Sequence, residues 1–194
     1  SIVVTLDGPS GSGKSSVARR VAEALGYRYL DTGAMYRAVT LAALRAGIRL
    51  DPLDGDGLER LLDAVNLDLD DNGRILIDGA AAGDAIRSEE VTQAVSTVSA
   101  CKLVRKRMVA LQRAFAGRGN LVAEGRDLGT VVFTDARYRF FLDASPEERA
   151  RRRMKQNAAA GREGLAQADL VRAMRERDRK DSEREVSPLR VGHG

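Results

Sequence analysis

Ile2-Val3-Val4-Thr5-Leu6-Asp7, running into Gly8-Pro9-Ser10-Gly11-Ser12-Gly13-Lys14-Ser15-Ser16, is the stretch on which the fold turns. The first part is an apolar, β-branched run of the kind buried on both faces in a parallel sheet. The second fits the spacing G-x-x-x-x-G-K-[ST] of a phosphate-binding loop. Beyond it Val17, Val21, Ala22 and Leu25 recur at helical spacing, so the loop is predicted to join a strand to a helix. Glycines at 8, 11 and 13 let the backbone bring its N–H groups against phosphate oxygens, and the helix N-terminus adds partial positive charge. Lys14 is placed to reach β- and γ-phosphates and the Ser15 hydroxyl to ligate Mg²⁺. A Gly/Ser-rich connector with a chance lysine is the plain alternative. The agreement of strand, spacing and helix favours a nucleoside triphosphate site instead.

Composition bounds the rest. A chain of 194 residues builds one substantial core with room for a small insert. Hydrophobic residues at 43% and charged ones at 31% describe a globular protein. Its apolar runs are far shorter than the roughly 20 residues of a bilayer span, and the first residues lack a charged-then-apolar leader pattern. Cys101 is the one cysteine, which excludes an internal disulfide and suits a reducing cytoplasm. It sits among Val98, Ala100 and Leu103 and is expected to be a buried thiol. His193, the one histidine, is given no role, and these ligands exclude a zinc site. The net charge of +4 could point to nucleic acid. Aromatic content of 4% without tryptophan argues against a base-stacking platform, so the arginines are assigned to a pocket for several phosphates.

Outward from the loop, Tyr27–Leu30 reads as a strand ending at Asp31-Thr32-Gly33, and residues 34–46 as a helix with Met35, Val39, Ala42 and Ala43 on one side. Between 51 and 86 a short acidic helix leads into alternating Asn66–Asp70, a turn at Asp71-Asn72-Gly73 and a partner strand Arg74–Asp78. This hairpin buries little by itself and is expected to form a small lobe that can move. Residues 88–116 read as one helix with Ser88 as cap. Leu121-Val122-Ala123 is a buried strand that ends in Glu124-Gly125-Arg126-Asp127. Tyr138–Asp143 is another strand, and a helix starts at Ser145-Pro146 with Arg149, Arg151, Arg152 and Arg153 on it. A last helix is predicted over 166–185.

Phosphate-binding loops serve kinases, GTPases and ATPases alike. The Asn-Lys-x-Asp guanine signature is absent here. Tyr138–Asp143 could end in the Mg²⁺-organising aspartate of an ATPase, but the arginine-loaded helix after it suits a kinase better. Transfer between two phosphorylated substrates needs such cations to offset like-charge repulsion. The rivals are a kinase for AMP, UMP or shikimate, and a P-loop ATPase or nucleotide sensor.

Gly8–Ser15, Asp31-Thr32-Gly33-Ala34-Met35-Tyr36-Arg37, Gly125-Arg126-Asp127-Leu128-Gly129-Thr130 and Glu176-Arg177-Asp178-Arg179-Lys180-Asp181 through Arg184 together resemble the long form of the bacterial cytidylate kinases, across essentially the whole chain. The resemblance implies a three-layer α/β P-loop NTPase fold with a central parallel sheet, a hairpin-containing monophosphate-binding insert and a short arginine-rich lid. The core would comprise 1–36, 117–148 and 186–194, the CMP-binding lobe 37–116, and the lid with its following helix 149–185. It implies transfer of the ATP γ-phosphate to CMP or dCMP with Mg²⁺, in a cytoplasmic enzyme expected to be monomeric and to need neither nucleic acid nor membrane. Gly8, Pro9, Ser10, Gly11, Ser12, Gly13, Lys14, Ser15 and Ser16 would hold ATP, with Arg149, Arg152 and Arg153 over its phosphates. Arg37 and Arg126 would take the CMP phosphate, with Lys14, Arg37, Arg126 and Arg152 as the catalytic cations. Thr32, Arg105, Asp127 and Arg184 would surround the cytosine and Ser96, Arg177 and Asp181 the ribose, with Tyr36 also among the substrate-binding residues. From the residues alone, Arg105-Lys106-Arg107 also fits a solvated helix face, and Arg177 with Asp181 a surface i,i+4 pair. Thr32 stands where the family commonly has serine. Family members usually continue with a further strand and helix, so the sheet formed by these 194 residues is expected to lack an edge strand.

Overall fold

The computed structural model describes residues 1–159, 161, 165–183, 185 and 187–191. Among them, strands β1 (Val3–Asp7), β2 (Arg28–Asp31), β6 (Leu121–Gly125) and β7 (Tyr138–Phe141) form a parallel sheet in the order β2-β6-β1-β7. Register decides what this sheet is for. Asp7 lies beside Gly125, and Asp31 beside Glu124. The C-terminal ends of β1, β2 and β6 therefore lie at the same edge of the sheet, the place where open α/β sheets bind ligands. Gly8, at φ 146°, turns the first of them, where a Cβ would collide with the Leu142 carbonyl.

Helix α1 (Lys14–Leu25) follows the loop. Its buried face is Ala18 and Ala22, whereas Val17 and Leu25 are 41% and 51% exposed. The expected apolar stripe is thus displaced: α1 packs close on the sheet, which only small side chains permit. Helix α2 (Thr32–Arg45) begins two residues earlier than the periodicity predicts, because the Asp31 carboxylate caps it, accepting from Ala34 N at 3.0 Å. Met35, Val39, Ala42 and Ala43 are buried as expected.

The insert contains α3 (Gly55–Ala64), then β3 (Leu67–Leu69) and β4 (Ile75–Ile77) paired antiparallel through the predicted turn. A third strand, β5 (Ala80–Ala81), is too short to show in the sequence pattern. Leu67, Leu69 and Ile75 are buried in the same cluster as Leu30 and Leu121, so the hairpin shares the main core instead of standing apart. The predicted long helix is two, α4 (Glu89–Ala100) and α5 (Lys102–Ala116), broken at Cys101, whose backbone is extended. Cys101 is half-buried at this joint, not enclosed. The break is stabilised by Arg105, whose Nη1 donates to the Ser99 carbonyl at 3.2 Å and so takes up a terminal acceptor of α4. Helices α6 (Pro146–Ala159) and α7 (Gln167–Glu183) pack together on the other side of the loop. Among the described residues no helix is long and apolar enough to cross a membrane.

Candidate active site

The chain ends released at the sheet edge enclose a cavity of about 1010 Å³. One wall is the loop from Ser10 to Ser16, the opposite wall is α2 with α4 and α5, and Arg152, Arg153, Arg177 and Asp181 close the side. Lys14 is 6% exposed and donates to the Pro9 carbonyl at 2.6 Å and toward Ser12 Oγ at 3.4 Å. Burial first, and then the Arg126 charge, lower its pKa to about 7. Bound phosphates would reverse that shift by favouring the ammonium form. Binding of ATP at pH 8 should therefore take up close to one proton, and at pH 6, where Lys14 is already charged, it should take up little. Calorimetry in buffers of different ionisation heat measures this, and equal uptake at both pH values would contradict it.

Arg126 leaves β6 directly after Gly125, a residue that must lack a side chain because a Cβ would lie 2.7 Å from Thr32 Oγ1 and 2.8 Å from Leu128 Cγ. Its Nε donates to Asp181 at 2.6 Å and its Nη1 to the Gly8 carbonyl at 3.0 Å. Arg37, on α2, donates to Thr92 Oγ1 at 2.9 Å and to the Ile86 carbonyl at 3.2 Å. Burial and then Arg153 and Arg87 depress the pKa of Arg37. Burial and then Arg126 lower that of Arg177 to about 10. Arg177 Nε is enclosed with no hydrogen-bond partner among the described residues. Cations that weaken one another in this way are poised for an anion.

Asp127 meets Arg105 in an ion pair with side chains 7% and 3% exposed. The guanidinium also lies over the Tyr36 ring, 5.4 Å from its centroid. Arg105 is thus buried, while Lys106 and Arg107 face solvent, which divides the basic run that the sequence left open. The Thr32 hydroxyl donates to the Glu124 carbonyl at 2.7 Å.

Not every predicted residue reaches the cavity. Gly8 and Pro9, at the start of the loop, are outside the lining, and so is Ser96, one turn from Ser99, which does line it. Arg149 is 2% exposed and donates to the carbonyls of Ala144 and Ser10 and to Asp178, so it backs the loop from behind and does not lean over its mouth. Arg184 lies outside the described residues.

A family model for cytidylate kinase matches residues 4–194. The cytidylate kinase of Mycobacterium leprae is 55% identical over 192 residues, 98% of this chain and 84% of that one. That of Mycobacterium avium is 53% identical over 194 residues, with the same coverage of 98% and 84%. That of Pelotomaculum thermopropionicum is 50% identical over 190 residues, 96% of this chain and 83% of its own. The chain belongs to the cytidylate kinase family.

Seen as a cytidylate kinase, the chain has polar residues at its site that the sequence reasoning missed. Glu124, next to last in β6, is 4% exposed and accepts from Ser15 Oγ at 2.9 Å and from the Tyr29 hydroxyl. Burial and the neighbouring Asp31 raise its pKa. An acid at the end of the buried strand next to β1 is the available signal, whereas Asp143, at the end of the other candidate strand, is exposed and lies outside the cavity lining. Asp7 is 5% exposed and accepts from the backbone N–H groups of Leu128 at 2.9 Å and Gly129 at 2.8 Å. It fastens the Arg126–Asp127 segment to the end of β1, and its pKa is raised by burial in spite of those bonds. Arg87 and Lys155 also line the cavity.

Proposed function

We propose that this chain transfers the γ-phosphoryl group of ATP to the phosphate of CMP or dCMP, giving ADP and the pyrimidine diphosphate. One observation carries the assignment of residues: the loop lysine, an arginine cluster and a buried Arg–Asp pair open into one cavity. The backbone of the loop and Lys14 take the ATP phosphates, with Arg152 and Arg153 at the side. Arg37, Arg126 and Arg177 receive the acceptor phosphate, and Asp181 with Arg177 lies toward the ribose. Cytosine offers acceptors at O2 and N3 and donates from N4, so the cation–carboxylate pair of Arg105 and Asp127 complements it. Tyr36 forms the apolar floor under that pair.

The acceptor phosphate is already ionised, so the chain needs no general base. Its work is alignment of two anions and neutralisation of the charge between them. Ser15 Oγ and Glu124 Oε2, 2.9 Å apart, are hard oxygen ligands of the kind Mg²⁺ prefers. That ion would neutralise charge on the β- and γ-phosphates.

Coupled-assay turnover with CMP, dCMP, UMP, AMP and shikimate tests the assignment. CMP and dCMP should lead, and preference for AMP or shikimate would overturn it. Replacing the acceptor-site cation should also separate the two substrates. Arg126→Ala removes a charge-assisted contact worth about 1.5–3 kcal/mol. CMP affinity and kcat should fall by roughly ten- to a hundredfold, with ATP affinity largely retained. A defect confined to ATP would show that the sites are wrongly divided.

A further inference from the structure

Asp178 belongs to the Glu176–Asp181 block, yet neither substrate site uses it. It sits on α7 facing the back of the phosphate-binding loop. Its partner is Arg149, whose side chain is 2% exposed against 24% for Asp178. Arg149 Nη1 donates to Asp178 Oδ1 at 3.1 Å and also to the Ser10 carbonyl at 3.1 Å, while its Nε donates to the Ala144 carbonyl at 2.9 Å. One planar cation therefore holds the loop backbone, the start of α6 and α7 together. Met174, one turn before Asp178, reinforces the joint: a Cβ on Gly11 would lie 3.7 Å from Met174 Cε and 3.4 Å from Arg149 Cβ.

The adjoining face of α7 serves the other substrate. Arg177 and Asp181, one turn apart, border the acceptor side of the cavity, and Asp181 accepts from Arg126. A single helix thus grips the ATP loop through Arg149 and Asp178 and the monophosphate site through Arg177 and Asp181. Helices move as rigid bodies, so a shift of the loop backbone at Ser10 is passed to the acceptor residues.

We propose that Arg149 and Asp178 are positioning residues that couple the two substrate sites, so that an occupied loop raises affinity for the monophosphate, and the reverse. This rests on the assignment of ATP and CMP to these sites. The coupling must be reciprocal, since it is a free energy shared by two binding equilibria.

The test is calorimetric. CMP is titrated with and without a saturating non-hydrolysable ATP analogue plus Mg²⁺, into the wild type and into the double variant Arg149→Met/Asp178→Leu. Removing both charges avoids leaving one buried and unpaired. In the wild type the analogue should tighten CMP binding about fivefold or more. In the double variant that ratio should fall to about one, while the Kd for CMP alone changes by less than about threefold. A folded double variant that keeps the wild-type ratio, or a wild type with a ratio of one, overturns the proposal. A purely structural pair would lower Tm and leave the ratio unchanged. Should the double variant not fold, Arg149→Lys carries the same test, because a lysine keeps the charge but cannot hold Ser10 and Asp178 together. Turnover of CMP by the wild type is read separately: its failure sinks the assignment of function, and loss of coupling alone does not.

Discussion

Lys14→Ala is expected to lower kcat by about 10³- to 10⁵-fold, the range seen when a single cation is removed from the transferring phosphoryl group. The cause is local. Lys14 is the cation seated inside the loop itself, and its ammonium is held by the Pro9 carbonyl at 2.6 Å, where it awaits phosphate oxygens. The arginines of the cavity come from other elements and cannot occupy that point. Stability should respond in the opposite sense. Burial lowers the Lys14 pKa to about 7, so near neutral pH the empty loop holds its charge at a cost. Removing the side chain should leave Tm unchanged or raise it. A folded Lys14→Ala protein with near-normal turnover would end the assignment of Lys14 as the catalytic cation of the loop.

The parts of the molecule legible in the sequence are those governed by short-range chemistry. The loop, the hairpin turn at Asp71-Asn72-Gly73 and the caps Ser88 and Ser145 follow from local patterns, and each appears where expected. What local pattern could not show was long-range. The break at Cys101 has no glycine or proline to announce it. It is stabilised by Arg105, whose other partner, Asp127, lies 22 residues further on. Val17 and Leu25 match helical spacing, but the closeness of α1 to the sheet selects Ala18 and Ala22 for burial. Glu124 and Asp7 read as strand ends until register places them beside the loop and the Arg126 segment. Arg149 is the sharpest case. An arginine on a lid helix is naturally assigned to phosphates, and only three-dimensional packing shows its guanidinium directed to the Ser10 carbonyl and Asp178.

The cavity contains its own stand-ins for substrate. Arg126 bonds to Asp181 and Arg105 to Asp127, each cation held by a carboxylate from another element. Such pairs keep the arginines oriented while no phosphate or base is present. They also set the cost of removing one member, because breaking a buried pair leaves a desolvated charge behind.

That cost frames the second large effect, on Asp127. Asp127→Ala should lower kcat/KM for CMP and narrow the CMP/UMP preference by about tenfold or more, equivalent to about 1.4 kcal/mol. With CMP the carboxylate accepts from the N4 amino group. With UMP it faces the O4 carbonyl, and the N3–H of uracil points a donor at the Arg105 donors, so both members of the pair lose a partner. Removing the carboxylate therefore harms CMP more than UMP. Stability should fall too, by about 3–5 kcal/mol, because Arg105 is left charged at 3% exposure. Asp127→Asn guards against a variant that does not fold: it keeps the shape, and its amide can turn to donate to uracil O4. The Asn variant should narrow the ratio as well, with a smaller loss of Tm. Loss of Asp127 could also release Arg126 beside it, but a displaced phosphate-binding arginine would harm both substrates equally and leave their ratio alone. A ratio unchanged in both variants would mean that Asp127 serves only to orient Arg105, and that the choice of base is made elsewhere, with Thr32 and Arg184 the next residues to replace.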